Sequence, residues 1–280
     1  MIYFTDAEID QLISDDAPLG DLTTQSLGIA QQSATIDYVT REALTVSGSE
    51  EVGRMAQKLG IEVTQMEPSG KSLEAGETII SATGSAQALH QLWRAGLAML
   101  ETASAISTRT AALCDSIREI PDAPIIAGTR KHPPYLKKVA LKALIAGGGT
   151  PHRFGLSESI LIFEEHLRFL SDPESGIRVL KARQKEKKVV VEVHNREDAI
   201  HMTQVSADAI QIDKMSLEQF LETAASCREI NPNVVMIAAG GINPGNALEY
   251  AKAGADVLVT SWMYFGKPAN IGVRLFPVSE

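Results

Sequence analysis

The second half of the chain alternates short apolar runs with amphipathic segments. The apolar runs lie at Ile125–Ala127, Ile160–Phe163, Val189–Val193, Ala209–Ile212, Val234–Ala238 and Val257–Val259. Helical periodicity separates most of them, at Leu136–Ile145, Gly176–Glu186, Arg196–Val205, Ser216–Ile230 and Gly245–Ala253. Continuously apolar strands that alternate with helices are typical of βα units around a buried parallel sheet. This pattern favours a closed or nearly closed α/β barrel, and an open doubly wound sheet is the alternative.

The first hundred residues combine shorter helical and strand patterns. Thr5 and Glu8 form a capping-box pair that predicts a helix through Ile13. Further helices are predicted at Glu51–Leu59, with Gly60 as the C-cap, and at Ala86–Ala112, which leads into the second half. Strand patterns occur at Ala34–Thr40, Leu44–Ser47, Ile61–Thr64 and Thr78–Ser81.

Composition is that of an ordinary globular protein. In 280 residues, 44% are hydrophobic and 22% are charged, which suits one large domain with a smaller companion. The net charge of −9 argues against general nucleic-acid binding, because that requires a cationic face. The basic run Lys181–Lys188 is most simply the solvated end of a helix.

The cysteines, the first residues and the apolar stretches all indicate a protein that is neither secreted nor embedded in a membrane. Cys114 and Cys227 lack metal-ligand spacing and suit a reducing cytosol. The first residues lack the basic and apolar regions of a signal peptide. The stretch Val234–Ala239 is far shorter than the roughly 20 apolar residues of a membrane span. We therefore expect a cytoplasmic protein with no membrane or nucleic-acid partner.

Polar residues follow or interrupt the ends of the apolar strands. Arg130 and Lys131 follow the first, Glu192 lies in the third, and Asp213 ends the fourth. The carboxyl ends of barrel strands line the active site in this architecture, so these residues are candidates for one shared site. Glu192 and Asp213 suit a magnesium ion that also binds substrate phosphates. The alternative is that each carboxylate pairs with an arginine or lysine across the barrel.

Glycines and cations complete the candidate site. Gly240 and Gly241 join a strand to a helix, where backbone N–H groups and the helix dipole favour an anion, with Thr260 and Ser261 as further donors. A tight turn would also require such glycines. A second cationic pair follows Gly147–Gly149, so the predicted basic pocket comprises Arg130, Lys131, His152 and Arg153. This pocket in an acidic protein suits a small polyanion.

Several motifs in one order resemble the quinolinate phosphoribosyltransferase family, also called nicotinate-nucleotide pyrophosphorylase (carboxylating). The resemblance covers nearly the whole chain, and no single motif is specific by itself. The matching positions are Gly20–Thr24, Trp93, Arg94, Ser104–Thr108, Thr129–Lys131, Gly147–Gly149, His152, Arg153, Gly155, Leu156, His166, Glu192, Asp213 and Gly240–Ile242.

The resemblance implies an α/β fold with two domains. An N-terminal open-faced α/β sandwich would comprise residues 1–107, joined by 267–280, and an incomplete α/β barrel would comprise 108–266. It further implies a homodimer, with higher oligomers left open, in which the partner's N-terminal domain closes each barrel site. Arg94 would reach across that interface.

The resemblance also implies roles for the site residues. Arg130, Lys131, His152 and Arg153 would bind an acidic pyridine and phosphoribosyl pyrophosphate, while Gly240, Gly241 and Ser261 would take the 5′-phosphate. Glu192 and Asp213 would hold Mg²⁺. Together with Arg94 and Lys131 they would be the catalytic residues. The implied reaction joins a heterocycle nitrogen to the ribose anomeric carbon and expels pyrophosphate; quinolinate would also lose a carboxyl group.

One departure from the family bears on the acceptor. Phe163 stands where the family has a substrate-binding lysine, and Glu164 and Glu165 follow it. Smaller departures are Ala98, His132–Pro134, Pro151 and Ala239. The segments Phe163–His166 and Pro151–Arg153 resemble the ModD branch, phosphoribosyltransferase homologues associated with molybdenum transport. We therefore expect phosphoribosyl transfer to an altered acceptor.

Three other functions remain open. The chain could be a true quinolinate enzyme of NAD biosynthesis that tolerates Phe163. It could bind an anion such as molybdate without turnover, although two carboxylates do not suit an oxyanion binder. A Schiff-base enzyme using Lys131 is also conceivable. Arg130 beside Lys131 and the predicted magnesium pair argue against that chemistry.

Overall fold

The computed structural model describes residues 2–278, whose contacts group them into two compact units. The first unit holds the residues up to Ala111, His132–Gly148 and the residues from Met263 onward. The second holds Ala112–Lys131 and Gly149–Trp262. The domain limits expected from the family resemblance remain a prediction. Residue 1 and residues 279–280, which those limits include, lie outside the described residues.

An antiparallel sheet forms the centre of the first unit. Its strands are β1 (Ser33–Thr40), β3 (Glu62–Met66), β5 (Thr78–Ser85) and β13 (Ile271–Pro277), in the order β13-β1-β5-β3. A short ladder joins β2 (Leu44–Thr45) to β4 (Ser72–Leu73). One face of β1 is buried while the other is partly exposed, which matches the open-faced sandwich expected from the sequence.

The buried face of that sheet packs on helices. The helices of the first unit are α1 (Asp6–Ser14), α2 (Leu22–Ser26), α3 (Ser49–Lys58), α4 (Ala86–Ser116, whose last turn belongs to the second unit) and α5 (Lys137–Ala146). The buried hydroxyl of Tyr38 donates to the carbonyl oxygen of Leu92 at 3.0 Å. A Cβ atom at Gly96 would lie 2.6 Å from that hydroxyl, so a glycine is needed for this close approach.

A seven-stranded parallel sheet forms the second unit. Its strands are β6 (Ile125–Gly128), β7 (Thr150–Pro151), β8 (Ile160–Ile162), β9 (Val189–Val193), β10 (Ala209–Asp213), β11 (Val235–Ala239) and β12 (Val257–Thr260). They follow the order β7-β6-β12-β11-β10-β9-β8. If β7 and β8 are taken as neighbours, the strands follow one another around a ring in chain order, as they do in a barrel. A doubly wound sheet would instead reverse its strand order at one point. Within residues 2–278, β7 and β8 do not pair, so the barrel is incomplete.

Helices follow most of these strands. They are α6 (Glu164–Leu167), α7 (Pro173–Arg183), α8 (Arg196–Gln204), α9 (Leu217–Ile230) and α10 (Ala247–Lys252). A buried apolar cluster on these strands is formed by the side chains of Ala127, Ala209, Ile237, Ala239 and Val259. In the described part of the chain, no helix is both long and apolar enough to span a membrane, although α4 has 31 residues.

The structure confirms the α/β barrel and the predicted capping box of Thr5 and Glu8. The element patterns found α1, α3, α4 and the six apolar barrel strands to within a few residues. They did not find α2, β4, β7, α6 or β13. Each of the first four has five residues or fewer and so is too short for a periodic pattern.

Candidate functional site

A cavity of about 530 Å³ opens at the carboxyl ends of the barrel strands. Residues at or just beyond the ends of all seven strands contribute to its wall. They include Thr129, Arg130, Lys131, His152, Arg153, Leu161, Phe163, Glu192, Gln211, Asp213, Lys214, Gly240, Gly241, Asn243, Ser261 and Trp262. Every lining residue belongs to the second unit. Of the predicted site residues, all except Arg94 line this cavity.

Strand register brings the two carboxylates to one face of the sheet. Glu192 on β9 lies directly beside Gln211 on β10, and Asp213 follows Gln211 by two residues. Side chains alternate between the two faces of a strand, so all three face the barrel interior. Asp213 therefore lies one step nearer the mouth of the cavity than Glu192.

The ionised form of Glu192 is disfavoured in this position beside Asp213. Burial, and to a lesser extent the charge of Asp213, raise the pKa of Glu192, whereas a hydrogen bond from Gln211 opposes the shift. The Nε2 atom of Gln211 donates to Oε2 of Glu192 at 2.5 Å. Within residues 2–278 Glu192 forms no ion pair, and Asp213 pairs only with its neighbour Lys214, at 3.6 Å. The alternative interpretation, an ion pair of each carboxylate across the barrel, is therefore not found among these residues.

This donor set fits magnesium. In residues 2–278, no group of three or more acidic, histidine or cysteine side chains could hold a metal ion by itself. The acidic residues that line this cavity are Glu192 and Asp213. Mg²⁺ commonly binds one or two carboxylates together with substrate phosphates and water. A cation between Glu192 and Asp213 would also relieve their repulsion.

Four basic residues from the ends of β6 and β7 line the cavity: Arg130, Lys131, His152 and Arg153. Burial and then the charge of Arg153 lower the pKa of His152. Burial and then the charge of Arg130 likewise lower the pKa of Arg153. The two causes together indicate that His152 favours its neutral form and that Arg153 is a crowded cation partly withdrawn from water, which is an arrangement suited to a small anion.

Phe163 forms an aromatic part of the wall. Its ring stacks on His166 with centroids 5.6 Å apart and planes inclined by 18°. The guanidinium carbon of Arg153 lies 5.6 Å from the centroid of the same ring, within the range of a cation–π interaction. The Phe163 side chain is partly exposed, whereas Leu161 and Ile162 before it are buried. Phe163 therefore borders the cavity rather than filling the barrel core.

The glycine loop after β11 is tightly constrained on one side. Gly240 and Gly241 have φ values of +87° and +78°. A Cβ atom at Gly240 would lie 2.5 Å from Cγ of Lys214 and 2.8 Å from Oδ1 of Asp213, so alanine there would displace the end of β10. Gly241 has no atom within 4 Å of its Cβ position, so it borders open space.

Of the anion donors predicted near this loop, the Ser261 hydroxyl is available, whereas the Thr260 hydroxyl and the following helix contribute little. The Thr260 hydroxyl donates to the carbonyl oxygen of Ile242 at 2.7 Å and accepts from the Trp262 N–H, so it holds the loop. Ser261 lines the cavity and, in the described part of the chain, its hydroxyl forms no hydrogen bond. The predicted helix dipole contributes little, because α10 has six residues and begins only at Ala247.

Arg94 lies on α4 in the first unit. Its side chain is exposed and lines a separate cavity of about 380 Å³ together with Asp15, Asp16 and apolar residues. Its predicted role in a partner's site stays a prediction.

Sequence patterns missed two cavity residues that the geometry makes prominent, Gln211 and Lys214. Gln211 could have been found, because it interrupts an apolar strand two residues before Asp213 and so shares its face. For Lys214 the sequence gives no signal that distinguishes it from any other lysine in a loop.

Comparison with known proteins decides the family. Sequence models of the quinolinate phosphoribosyl transferase C-terminal and N-terminal domains match residues 106–269 and 21–104. The chain belongs to this family. It is 36% identical to a protein described as putative pyrophosphorylase ModD of Pasteurella multocida, with 98% of both sequences covered. It is 30% identical to a probable nicotinate-nucleotide pyrophosphorylase (carboxylating) of Methanothermobacter thermautotrophicus, with 89% of this chain and 91% of that protein covered.

Solved structures agree on the fold of this phosphoribosyl transferase family member. NadC from Streptococcus pyogenes superposes with a TM-score of 0.88 at 22% identity and covers all of both chains. The nicotinate-nucleotide pyrophosphorylase from Francisella tularensis gives 0.86 at 22% identity, with 96% of this chain and 94% of that chain covered. At this identity the likeness establishes the fold alone.

Proposed function

We propose that this chain is a phosphoribosyltransferase that joins phosphoribosyl pyrophosphate to a small acidic nitrogen heterocycle other than quinolinate, with release of pyrophosphate. The family membership supports the phosphoribosyl transfer. The observation that carries the proposal is one cavity that contains two carboxylates, four cationic or imidazole side chains and a glycine loop. This combination matches a substrate that carries phosphates at two positions on a sugar.

Glu192 and Asp213 would hold Mg²⁺. The bound ion would neutralise part of the phosphate charge of phosphoribosyl pyrophosphate. Burial of Glu192, and to a lesser extent the charge of Asp213, raise the pKa of Glu192, and this unfavourable negative charge supports a cation at this place. Gln211 would keep the Glu192 carboxylate oriented through its amide hydrogen bond.

The basic residues would serve the leaving group and the acceptor. In the reaction the heterocycle nitrogen gives its lone pair to the anomeric carbon, and the carbon–oxygen bond to pyrophosphate breaks with its electron pair on pyrophosphate. Arg130, Lys131, His152 and Arg153 would stabilise the charge that develops on that oxygen and bind the acidic group of the acceptor. Gly240, Gly241 and Ser261 would bind the 5′-phosphate.

Phe163 would set the acceptor specificity. Quinolinate carries two carboxylates, and at the cavity wall Phe163 offers one of them an apolar ring face. A lost charge-assisted contact to a carboxylate costs roughly 1.5–3 kcal/mol, or about one to two decades in affinity. The similarity to proteins described as ModD pyrophosphorylases supports the same distinction.

Two further properties belong to the proposal. We propose a homodimer in which Arg94 of one subunit serves the barrel cavity of its partner; the exposure of Arg94 supports it. We also propose a cytoplasmic location, supported by the two free cysteines, Cys114 and Cys227.

A pyrophosphate-release assay tests the function. Phosphoribosyl pyrophosphate and Mg²⁺ are supplied with quinolinate or with a panel of pyridine monocarboxylates and other acidic heterocycles, after a thermal-shift screen for binding. The proposal predicts an acceptor whose kcat/KM exceeds that of quinolinate by about tenfold or more, or 1.4 kcal/mol. Quinolinate as the best substrate would identify a carboxylating quinolinate enzyme. Anion binding without pyrophosphate release from any mixture would favour the non-catalytic alternative.

A further inference from the structure

Lys214 has a backbone conformation that lysine rarely adopts. It follows Asp213 at the end of β10 with a φ of +60°. Within residues 2–278, the other non-glycine residues with positive φ are Asp122, Tyr135 and Ser206, and none of them lines the barrel cavity. Asparagine and aspartate tolerate this region through local side-chain hydrogen bonds, which lysine does not form. Strained residues of this kind cluster at functional sites.

The surrounding structure maintains this conformation. The Lys214 N–H donates to the carbonyl oxygen of Ala239 at 2.9 Å, which links the ends of β10 and β11. The aliphatic stem of Lys214 then passes Gly240, where a Cβ atom would lie 2.5 Å from Cγ of the lysine. The missing side chain at Gly240 therefore makes room for Lys214 beside the glycine loop.

The ammonium group is available to a ligand. Its nitrogen lies 3.6 Å from Oδ2 of Asp213, beyond hydrogen-bond distance. The lysine side chain is 78% exposed, and ion pairs in such exposed positions contribute little stability. The ammonium therefore can leave Asp213 at little cost.

We propose that Lys214 is a substrate-binding residue that contacts the 5′-phosphate of phosphoribosyl pyrophosphate at the glycine loop. The inference rests on the proposed function. Lys214, Gly240 and Ser261 directly follow β10, β11 and β12, which are consecutive in the sheet. The basic residues that would serve pyrophosphate come instead from β6 and β7. A lysine ammonium binds phosphate as a compact point charge, so it suits a loop whose other donors are backbone N–H groups.

Calorimetric titration with ribose 5-phosphate tests this role, because this probe has the 5′-phosphate but no pyrophosphate. Lys214→Asn removes the ammonium and tolerates the left-handed backbone, whereas Lys214→Arg retains a cation. Lys252→Asn removes an exposed lysine at the end of α10, outside the cavity, as the matched control. We expect Lys214→Asn to raise the Kd about tenfold, and the other two variants to stay within about twofold of wild type. Thermal unfolding at or above the wild-type temperature would verify that Lys214→Asn folds.

Unchanged ribose 5-phosphate affinity in Lys214→Asn would overturn the inference, and so would an equal loss in Lys252→Asn. A selective loss of pyrophosphate affinity would place Lys214 at the leaving group and also overturn it. Failure of the proposed function is distinguishable, because it is measured by pyrophosphate release from wild-type protein, whereas failure of the inference is measured by the ribose 5-phosphate affinity of Lys214→Asn.

Discussion

The ring of Phe163 stacks on the imidazole of His166, with centroids 5.6 Å apart and planes inclined by 18°. The two residues are also joined through the backbone, because the Phe163 N–H donates to Nδ1 of His166 at 3.0 Å. The imidazole thus fixes the ring and closes the first turn of α6. A flexible cation at position 163 would lose this stacking and gain a charge at the cavity wall.

Phe163→Lys should convert the chain toward quinolinate. We expect kcat/KM for quinolinate to rise about tenfold, equivalent to 1.4 kcal/mol of transition-state binding, because the ammonium would meet the second carboxylate. Phe163→Leu is the control, since it removes the ring without adding charge and should give no gain. Steady-state kinetics and thermal unfolding are measured on all three proteins. Efficient wild-type turnover, with no gain in a stably folded lysine variant, would refute altered specificity.

Much of this site follows from the sequence, since an acid such as Glu192 or Asp213 at the end of an apolar strand signals a barrel mouth. The sheet order then makes their strands neighbours. Other features depend on tertiary structure. β7 has two residues in a glycine-rich loop and is a strand only because it pairs with β6. The pairing of β13 with β1 joins segments more than 200 residues apart, which no local pattern predicts; only the family resemblance pointed to it.

The conformation of Lys214 likewise depends on tertiary structure and could not be predicted from the sequence. Its left-handed backbone depends on the Ala239 carbonyl and on the space above Gly240, both contributed by another loop. The sequence contains each of these residues but not their proximity. Phe163 differs, because the family resemblance already implies a position at the acceptor pocket, and the structure adds its contacts with His166 and Arg153.

Mixing two inactive variants tests the proposed shared site. Arg94→Ala and Arg153→Ala should each be inactive alone, because one removes the partner's contribution and the other a residue of the barrel cavity. After subunit exchange of an equal mixture, half of the dimers are hybrids with one intact site of two, so about a quarter of wild-type activity should return. Arg130→Ala mixed with Arg153→Ala is the control and should recover none. Equal behaviour of the two mixtures would contradict a shared site.

Lys142 should matter more for stability than its neighbour Lys138 on the same helix. The Lys142 side chain is 14% exposed and contacts both Glu50 and Glu51, whereas that of Lys138 is 41% exposed and pairs with Glu8. Lys142→Ala leaves buried acid without a counter-charge and should lower the free energy of unfolding by roughly 3 kcal/mol. Lys138→Ala should cost at most about 1 kcal/mol. Urea denaturation compares them, and equal losses would show that burial of the Lys142 cluster has little effect.

The central claim is that the barrel cavity binds phosphoribosyl pyrophosphate together with a metal held by Glu192 and Asp213. Calorimetric titration of the wild-type chain with phosphoribosyl pyrophosphate, in the presence and absence of Mg²⁺, tests it most directly, with Asp213→Asn as the matched variant. We predict affinity about tenfold or more higher with Mg²⁺, because without the ion the two carboxylates repel the phosphates, and a smaller gain in Asp213→Asn. Equal affinity with and without Mg²⁺, or no binding in either condition, would contradict the account.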